Sequence, residues 1–319
     1  MPTLTIENCR LCPRRCGVNR RSVRGLCGGG ELPKVALASL HYGEEPCFGA
    51  KVGTVFFSGC SLNCLYCQNY AVSHDGWGYE ISAERLAEIF LELQTDGAEM
   101  LDLVTPTHFV LPIAEALQEA KSKGMILPVI YNCGGYELTG TVDFIAPLTD
   151  IFLPDIKYRY AATAYRYSGA ANYFEIAAAA VTRMVKQKGK IKFTSEGKMT
   201  SGVLVRHLVL PGGRHESMAI LDWLWENFGS DIGLSLMGQY IPMGQAEKFP
   251  PLNRRLTTFE YESVVEHAQK LGFNCGYIQQ KTAATADFVP TFDGRGVKPW
   301  GAAPHPVGGD RAPKPRQGK

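Results

Sequence analysis

From residue 54 onward the chain predicts an α/β fold built on a parallel sheet, and three observations carry that reading. Short apolar segments alternate in order with amphipathic ones. The apolar segments are near-continuous, as in strands covered on both faces. The amphipathic stretches between them suit crossover helices, whose right-handed connections curl such a sheet into an open or closed barrel.

The elements follow in order. The first predicted strand is Thr54 to Ser58. Ser82 suits an N-cap and opens a helix with Leu86, Ile89, Phe90 and Leu93 on one face. A second strand is expected at Met100–Thr105. The next helix begins near Pro112, a favoured first-turn residue, with Ile113, Ala116, Leu117 and Ala120 on its buried stripe. Pro128–Asn132 and Asp150–Lys157 read as the third and fourth strands. An alanine-rich helix over Tyr173–Lys188 leads to a basic loop. Val203–Leu210 and Ile232–Met237 read as the fifth and sixth strands, covered by helices at Glu216–Asn227 and Thr258–Leu271. Cys275–Gln279 is the candidate seventh. Six to seven strands fall short of the eight of a full TIM barrel, and in such barrels catalytic groups collect at the C-terminal strand ends.

At the end of the first strand stands Gly59-Cys60-Ser61-Leu62-Asn63-Cys64-Leu65-Tyr66-Cys67. The C-x3-C-x2-C spacing supplies three thiolates. A cubane cluster held by three cysteines keeps one iron open to a substrate or cofactor, whereas clusters that only carry electrons are usually closed by four. The competing readings are a zinc knuckle completed by a distant cysteine or histidine, and unligated thiols.

This motif, with Tyr66 just before the last cysteine and its place in a βα loop, resembles the signature of the radical S-adenosylmethionine (radical SAM) superfamily. The resemblance implies a partial (β/α)6 TIM-like barrel and a 4Fe–4S cluster on Cys60, Cys64 and Cys67. It also implies SAM on the open iron, with one electron from reduced ferredoxin or flavodoxin cleaving SAM to a 5′-deoxyadenosyl radical that abstracts hydrogen. Further stretches narrow it. They are Cys9-x-Leu-Cys-Pro-Arg-Arg-Cys16-Gly-Val-Asn-Arg20, Glu44-Glu45-Pro46-Cys47, Val104-Thr105-Pro106-Thr107-His108, Asp155-Ile156-Lys157 and Arg206-His207-Leu208-Val209-Leu210-Pro211. Together they are similar to the pyruvate formate-lyase activating enzyme-related radical SAM proteins, over about residues 9 to 296.

Pocket candidates lie at the strand ends. Where many radical SAM enzymes carry Gly-Gly-Glu toward the SAM amino group, this chain has Thr105-Pro106-Thr107, whose oxygens can accept from an ammonium or simply cap the next helix. Asn132 is placed to face the pocket, while Cys133 reads as a small buried hydrophobe. Asp155 and Lys157 share one strand face and are expected to pair. Their Asp-x-Lys element resembles one beside SAM in the glycyl-radical-enzyme activating enzymes; a salt-bridged strand end is the plainer reading. Arg206 and His207 interrupt an apolar strand and must point to opposite faces. The resemblance favours His207 for a SAM contact, so Lys157 and His207 are the expected catalytic pair, against a core histidine. Gln239 and Tyr240 follow the sixth strand.

Residues 1–50 form a cysteine-rich segment in which Cys9, Cys12, Cys16 and Cys27 can close a four-thiolate site, zinc or iron–sulfur. Residues 51–296 form the expected barrel, and 297–319 a disordered tail rich in Pro, Gly and basic residues. A net charge of +2 implies no general attraction to nucleic acid. The apolar runs are too short to span a bilayer, and no signal-peptide core opens the chain, so a cytoplasmic location is expected. Ten cysteines without an export signal favour metal or redox chemistry over disulfides. The functions in view are activation of a glycyl radical enzyme or other protein, modification of a small molecule or another macromolecule, and a metal-binding or electron-transfer protein that never cleaves SAM.

Overall fold

The computed structural model describes residues 4–273, 276–278 and 290–297. Its strands are β1 Lys34–His41, β2 Val52–Phe57, β3 Tyr79–Glu80, β4 Met100–Val104, β5 Val129–Cys133, β6 Ile151–Pro154, β7 Lys192–Phe193, β8 Met199–Leu208, β9 Gly233–Met237 and β10 Gly276–Ile278. The helices are α1 Tyr70–Ser73, α2 Ala83–Thr95, α3 Val110–Ser122, α4 Thr139–Ile145, α5 Ala161–Ser168, α6 Tyr173–Lys188, α7 Arg214–Phe228 and α8 Thr258–Leu271.

All ten strands belong to one sheet, ordered β10-β9-β8-β6-β5-β4-β2-β1-β3, with β7 hairpinned against β8. From β2 to β10 the seven consecutive neighbours are parallel. A parallel order that follows the chain is the winding of a (β/α) barrel, here partial, with β10 in the place of the candidate seventh strand. Strand β1 was not anticipated. It pairs antiparallel with β2, so the Lys34–His41 part of the cysteine-rich segment extends the sheet. Of the tail expected from residue 297, only Val297 is described, and it is buried in the main core. Cys275 and Gln279, the ends of the last expected strand, lie outside the described residues.

The two sheet faces bury different partners. Val55, Leu103, Tyr131, Phe152, Val205 and Leu236 pack outward in a core shared with α2, α3, α6, α7 and α8. On the other face Val52, Met100, Ile130, Ile151 and Leu204 pack on Cys47 and Phe48 as an apolar floor. Because paired residues of parallel strands face the same way, positions two or more residues further along these strands stand above that floor. Local signals hold the helices in place: Ser82 accepts from the Arg85 N–H at the start of α2, and Thr257 with Glu260 forms a capping box at α8. Among the described residues no helix is long and apolar enough to cross a membrane.

Candidate functional site

The three cysteines lie on the loop from β2 to α1, and the loop is pinned on both sides. Gly59 has φ +88°, and a Cβ there would lie 2.2 Å from the Cys27 carbonyl oxygen, so glycine is required twice over. The Cys60 N–H donates to that same carbonyl at 3.0 Å. Arg14 donates from Nε to the Ser61 carbonyl and from Nη1 to the Gly169 carbonyl, each at 2.7 Å. The N-terminal segment thus helps to shape the cysteine loop.

Each sulfur accepts a hydrogen bond from a fixed donor. Cys60 Sγ takes the Leu62 N–H at 3.4 Å, Cys64 Sγ the Ser168 hydroxyl at 2.9 Å, and Cys67 Sγ the Ser73 hydroxyl at 3.1 Å. Such donors steady a thiolate and tune a metal bound to it. Tyr66, 6% exposed, packs behind the loop, and its hydroxyl accepts from Tyr158 at 2.8 Å. Burial pushes the Cys60 thiol up to about 12, with Cys64 and Cys67 adding to it; burial and Cys64 raise Cys67 likewise. Without a cation Cys60 and Cys67 hold their protons, so loading a metal there must release them.

The three sulfurs open onto a cavity of about 220 Å³ whose other wall carries Thr105, Asn132, Asp155, Lys157 and Arg206. These polar groups form a belt across four strands. Lys157 Nζ donates to Asp155 Oδ2, Arg206 Nε donates to Asp155 Oδ1 at 3.2 Å, Arg206 also donates to Asn132 Oδ1, and Asn132 Nδ2 donates to Asp102 Oδ2 at 3.0 Å. Burial alone would raise Asp155, but Lys157 and Arg206 outweigh it and hold its carboxyl below the usual range. Burial would likewise strip the charge from Lys157, yet Asp155 keeps it firmly protonated. Thr105 sits at φ +60°, an uncommon backbone for a β-branched residue, with its N–H on the Asn132 carbonyl at 2.8 Å.

Two expected residues stand elsewhere. His207 points to the helix side of β8. Its Nδ1 meets the Ile156 carbonyl at 2.6 Å and its Nε2 the Ser217 hydroxyl of α7 at 2.8 Å. A carbonyl only accepts, so Nδ1 carries the hydrogen and Nε2 accepts from Ser217. Burial pushes its pKa down to about 4, so it is neutral. Strand alternation therefore turns Arg206, not His207, into the cavity. Thr107 is also turned away: it is 3% exposed and donates to Glu137 Oε1 at 2.5 Å. Of the later pair, Gln239 lines the cavity, while Tyr240 is buried with its hydroxyl on the Leu252 carbonyl at 2.6 Å. Cys133 is 2% exposed and packs in the main core.

Cys9, Cys12, Cys16 and Cys27 gather in a separate group. Cys9 and Cys16 face each other across a turn closed by Gly17 N–H to the Cys9 carbonyl at 2.9 Å. The Gly25 Cα lies under the sulfurs of Cys16 and Cys27, which a Cβ there would meet at 3.5 and 3.4 Å. Burial raises the Cys12 and Cys27 thiols, and Cys9 raises both further. Among the described residues, no three or more His, Cys, Asp or Glu side chains already stand as a closed shell for a single metal ion. What both cysteine groups offer is thiolate chemistry at short sequence spacing, with the Cys60 loop alone opening onto a polar cavity.

No protein-family model matches the chain. The uncharacterized protein MJ0674 of Methanocaldococcus jannaschii is 28% identical over 283 residues, covering 85% of this chain and 77% of that protein. The uncharacterized protein MJ0808 of the same organism is 25% identical over 143 residues, 39% of this chain and 42% of that protein. Among solved structures, methylornithine synthase (PylB) is similar at 18% identity with a TM-score of 0.49, over 68% of this chain and 62% of that one. The anSMEcpe structure with bound AdoMet is similar at 14% identity with a TM-score of 0.46, over 70% of this chain and 61% of that one. The chain therefore spans less than two thirds of either solved structure.

Proposed function

We propose that this protein is a radical SAM enzyme. The observation that carries the reading is the Cys60-Cys64-Cys67 loop: three thiols, each with its own hydrogen-bond donor, at the C-terminal end of the first parallel strand and facing a cavity with a charged far wall. Three thiolates suit a 4Fe–4S cluster with one open iron. When bound, the cluster and SAM supply one-electron reductive cleavage of SAM to methionine and a 5′-deoxyadenosyl radical that abstracts a hydrogen atom.

The chain's own groups do the rest. In this reading Lys157 binds the SAM carboxylate, and Asp155 holds Lys157 and Arg206 in place for it. Thr105 and Asn132 offer oxygens to the SAM amino group. Tyr66, Phe56 and Met237 keep water from the cavity, which protects a reactive species and strengthens the polar contacts inside it. His207 works at a distance by fastening β8 to α7. Cys9, Cys12, Cys16 and Cys27 hold a second metal, zinc or iron–sulfur, which steadies the segment that shapes the Cys60 loop.

The electron donor in this reading is reduced ferredoxin or flavodoxin. The hydrogen donor is either a loop of a partner protein, as for a glycyl-radical-enzyme activase, or a small molecule. Anaerobic reconstitution with iron and sulfide, reduction by dithionite and addition of SAM tests the proposal. The wild type should form 5′-deoxyadenosine and C64A should not. Zinc uptake that C64A abolishes, with no iron taken up and SAM left intact, would make the loop structural and end the enzyme reading.

A further inference from the structure

On the far side of Arg206 a second chamber of about 440 Å³ adjoins the first and shares Phe56, Asn132, Arg206, Met237 and Gln239 with it. Its wall is acidic. Glu44 and Glu45 enter from the turn after β1, and Ser235 enters from β9, where it is the register partner of Arg206. Asp102 stands beside it on β4, two residues before Val104 on the same face, and is tied to the chamber wall through Asn132.

Three acceptor atoms here have no hydrogen-bond partner among the described residues: Glu45 Oε2, Asp102 Oδ1 and Ser235 Oγ. Their residues are 7%, 1% and 0% exposed. A buried acceptor without a donor is destabilising, and more so when charged, so two on the chamber wall and one beside it call for a donor that the described residues do not supply.

The charges agree. Among the described residues Glu44, Glu45, Asp102 and Asp155 stand around two cations, Arg206 and Lys157, and both lie on Asp155. His41 is 3.8 Å from Glu44, but burial lowers its pKa and leaves it a poor cation. The shortfall shows in the titration. Burial first, then Asp102 and Glu45, push Glu44 up to about 8; burial, against the pull of Asn132 and Arg206, pushes Asp102 up to about 7. A bound cation would relieve both the repulsion and the missing hydrogen bonds.

Two carboxylate oxygens and one neutral hydroxyl fall short of the oxygen shell that a hard divalent cation takes. An ammonium group needs no such shell. It brings three N–H donors that reach separate oxygens, one of them a neutral hydroxyl. We propose that this chamber binds a primary ammonium group of a small-molecule substrate, held by Glu45, Asp102 and Ser235, with the rest of that molecule passing Arg206 toward the cysteine-lined cavity. The assignment of the occupant as substrate rests on the enzyme reading above; the amine site itself does not.

The test is isothermal titration of n-butylamine at pH 7 into reconstituted protein carrying SAM, and into the same protein before reconstitution. Butan-1-ol serves as the neutral probe and magnesium chloride as the metal probe. The expected result is one saturable site for butylamine in both preparations and none for butanol. E45Q and D102N should each weaken it ~10-fold or more, and S235A ~3-fold, as befits hydrogen bonds to a charged group. Thermal unfolding of each variant separates loss of binding from loss of fold, and the butylamine–butanol contrast needs no variant. Equal binding of butanol, displacement of butylamine by magnesium, or expulsion of SAM by butylamine would each overturn the proposal. Measuring 5′-deoxyadenosine in the same preparations keeps the two readings apart. SAM cleavage without amine binding sinks the chamber alone. Amine binding without SAM cleavage sinks the radical reading and leaves a bare amine site.

Discussion

The Arg206–His207 pair offers the sharpest test of how β8 is laid into the barrel. The two residues are adjacent and polar, and the structure sends them to opposite faces. Consider R206M beside H207Q. Arg206 gives Asp155 one of its two cations and Asn132 a donor, and its side chain is only 18% exposed. Removing one partner of a buried ion pair costs about 3–5 kcal/mol. Lys157 still holds the other Asp155 oxygen, so the lower end applies, about 3 kcal/mol. With a urea slope on the order of 3 kcal/mol/M for a chain of this size, the midpoint should fall by roughly 1 M. His207 is neutral and loses two ordinary hydrogen bonds, to Ile156 and Ser217, which glutamine partly replaces. That costs about 1–2 kcal/mol. The functional readout should split the same way: R206M should lose SAM binding in equilibrium dialysis with reconstituted protein, and H207Q should keep it within about threefold, since a change on the outer face reaches the cavity only through strand position. The reasoning is refuted if H207Q abolishes SAM binding at a stability cost within its expected range while R206M binds SAM as the wild type does.

Three further outcomes follow from the same geometry. G59A places a Cβ 2.2 Å from the Cys27 carbonyl at φ +88°, so it should lower the thermal midpoint and cut iron uptake on reconstitution by more than half; equal iron per chain in variant and wild type would contradict the pinned loop. Burial pushes Glu137 up to about 8 from an ordinary 4.5, so the folded state keeps a proton that the unfolded chain releases earlier. Its contribution to stability is present below pH 4.5 and is lost as pH rises through 8, so E137Q should gain on the wild type in urea midpoint from pH 5 to pH 8, and a constant gap would show that Glu137 does not titrate there. Finally, C12S should lower total iron plus zinc per chain by mass spectrometry without removing the share that C64A removes, and unchanged metal in C12S would dismiss the N-terminal site.

The strands were legible because each is a nearly unbroken apolar run, and β2, β4, β5, β6, β8 and β9 lie within a few residues of where such runs place them. Helix ends were legible where a cap or a break is local, as at Ser82 and over Tyr173–Lys188. Strand β1 escaped because it lies inside a segment dominated by cysteines and glycines, and the connection to its partner β2, over residues 42–51, is not a tight turn. The cysteine loop stands out because its spacing is local, and the structure turns all three sulfurs onto one cavity.

The same covering of both faces that made β8 recognisable made its orientation unreadable. In Val203-Leu204-Val205-Arg206-His207-Leu208 nothing apolar distinguishes the cavity side from the helix side. Only the third dimension decides. Arg206 lies opposite Asp155 in the β-bridge to the end of β6 and level with Ser235 of β9, in the face that continues from Leu204 on the barrel floor. His207 lies level with Leu236, whose side chain packs in the helix-side core. The acidic chamber was hidden for a related reason. Glu44-Glu45 reads as a polar turn and Asp102 as one polar residue in a strand, and each alone is unremarkable. They become one feature only when β1 closes against β2 and β4 follows on its other side, which brings the turn after β1 near a strand two places away in the sheet. A site assembled from a turn and separate strands leaves no local spacing to read. What betrays it is the charge count around one cavity, where Arg206 must answer to Asp155, Glu45, Glu44 and Asp102 at once.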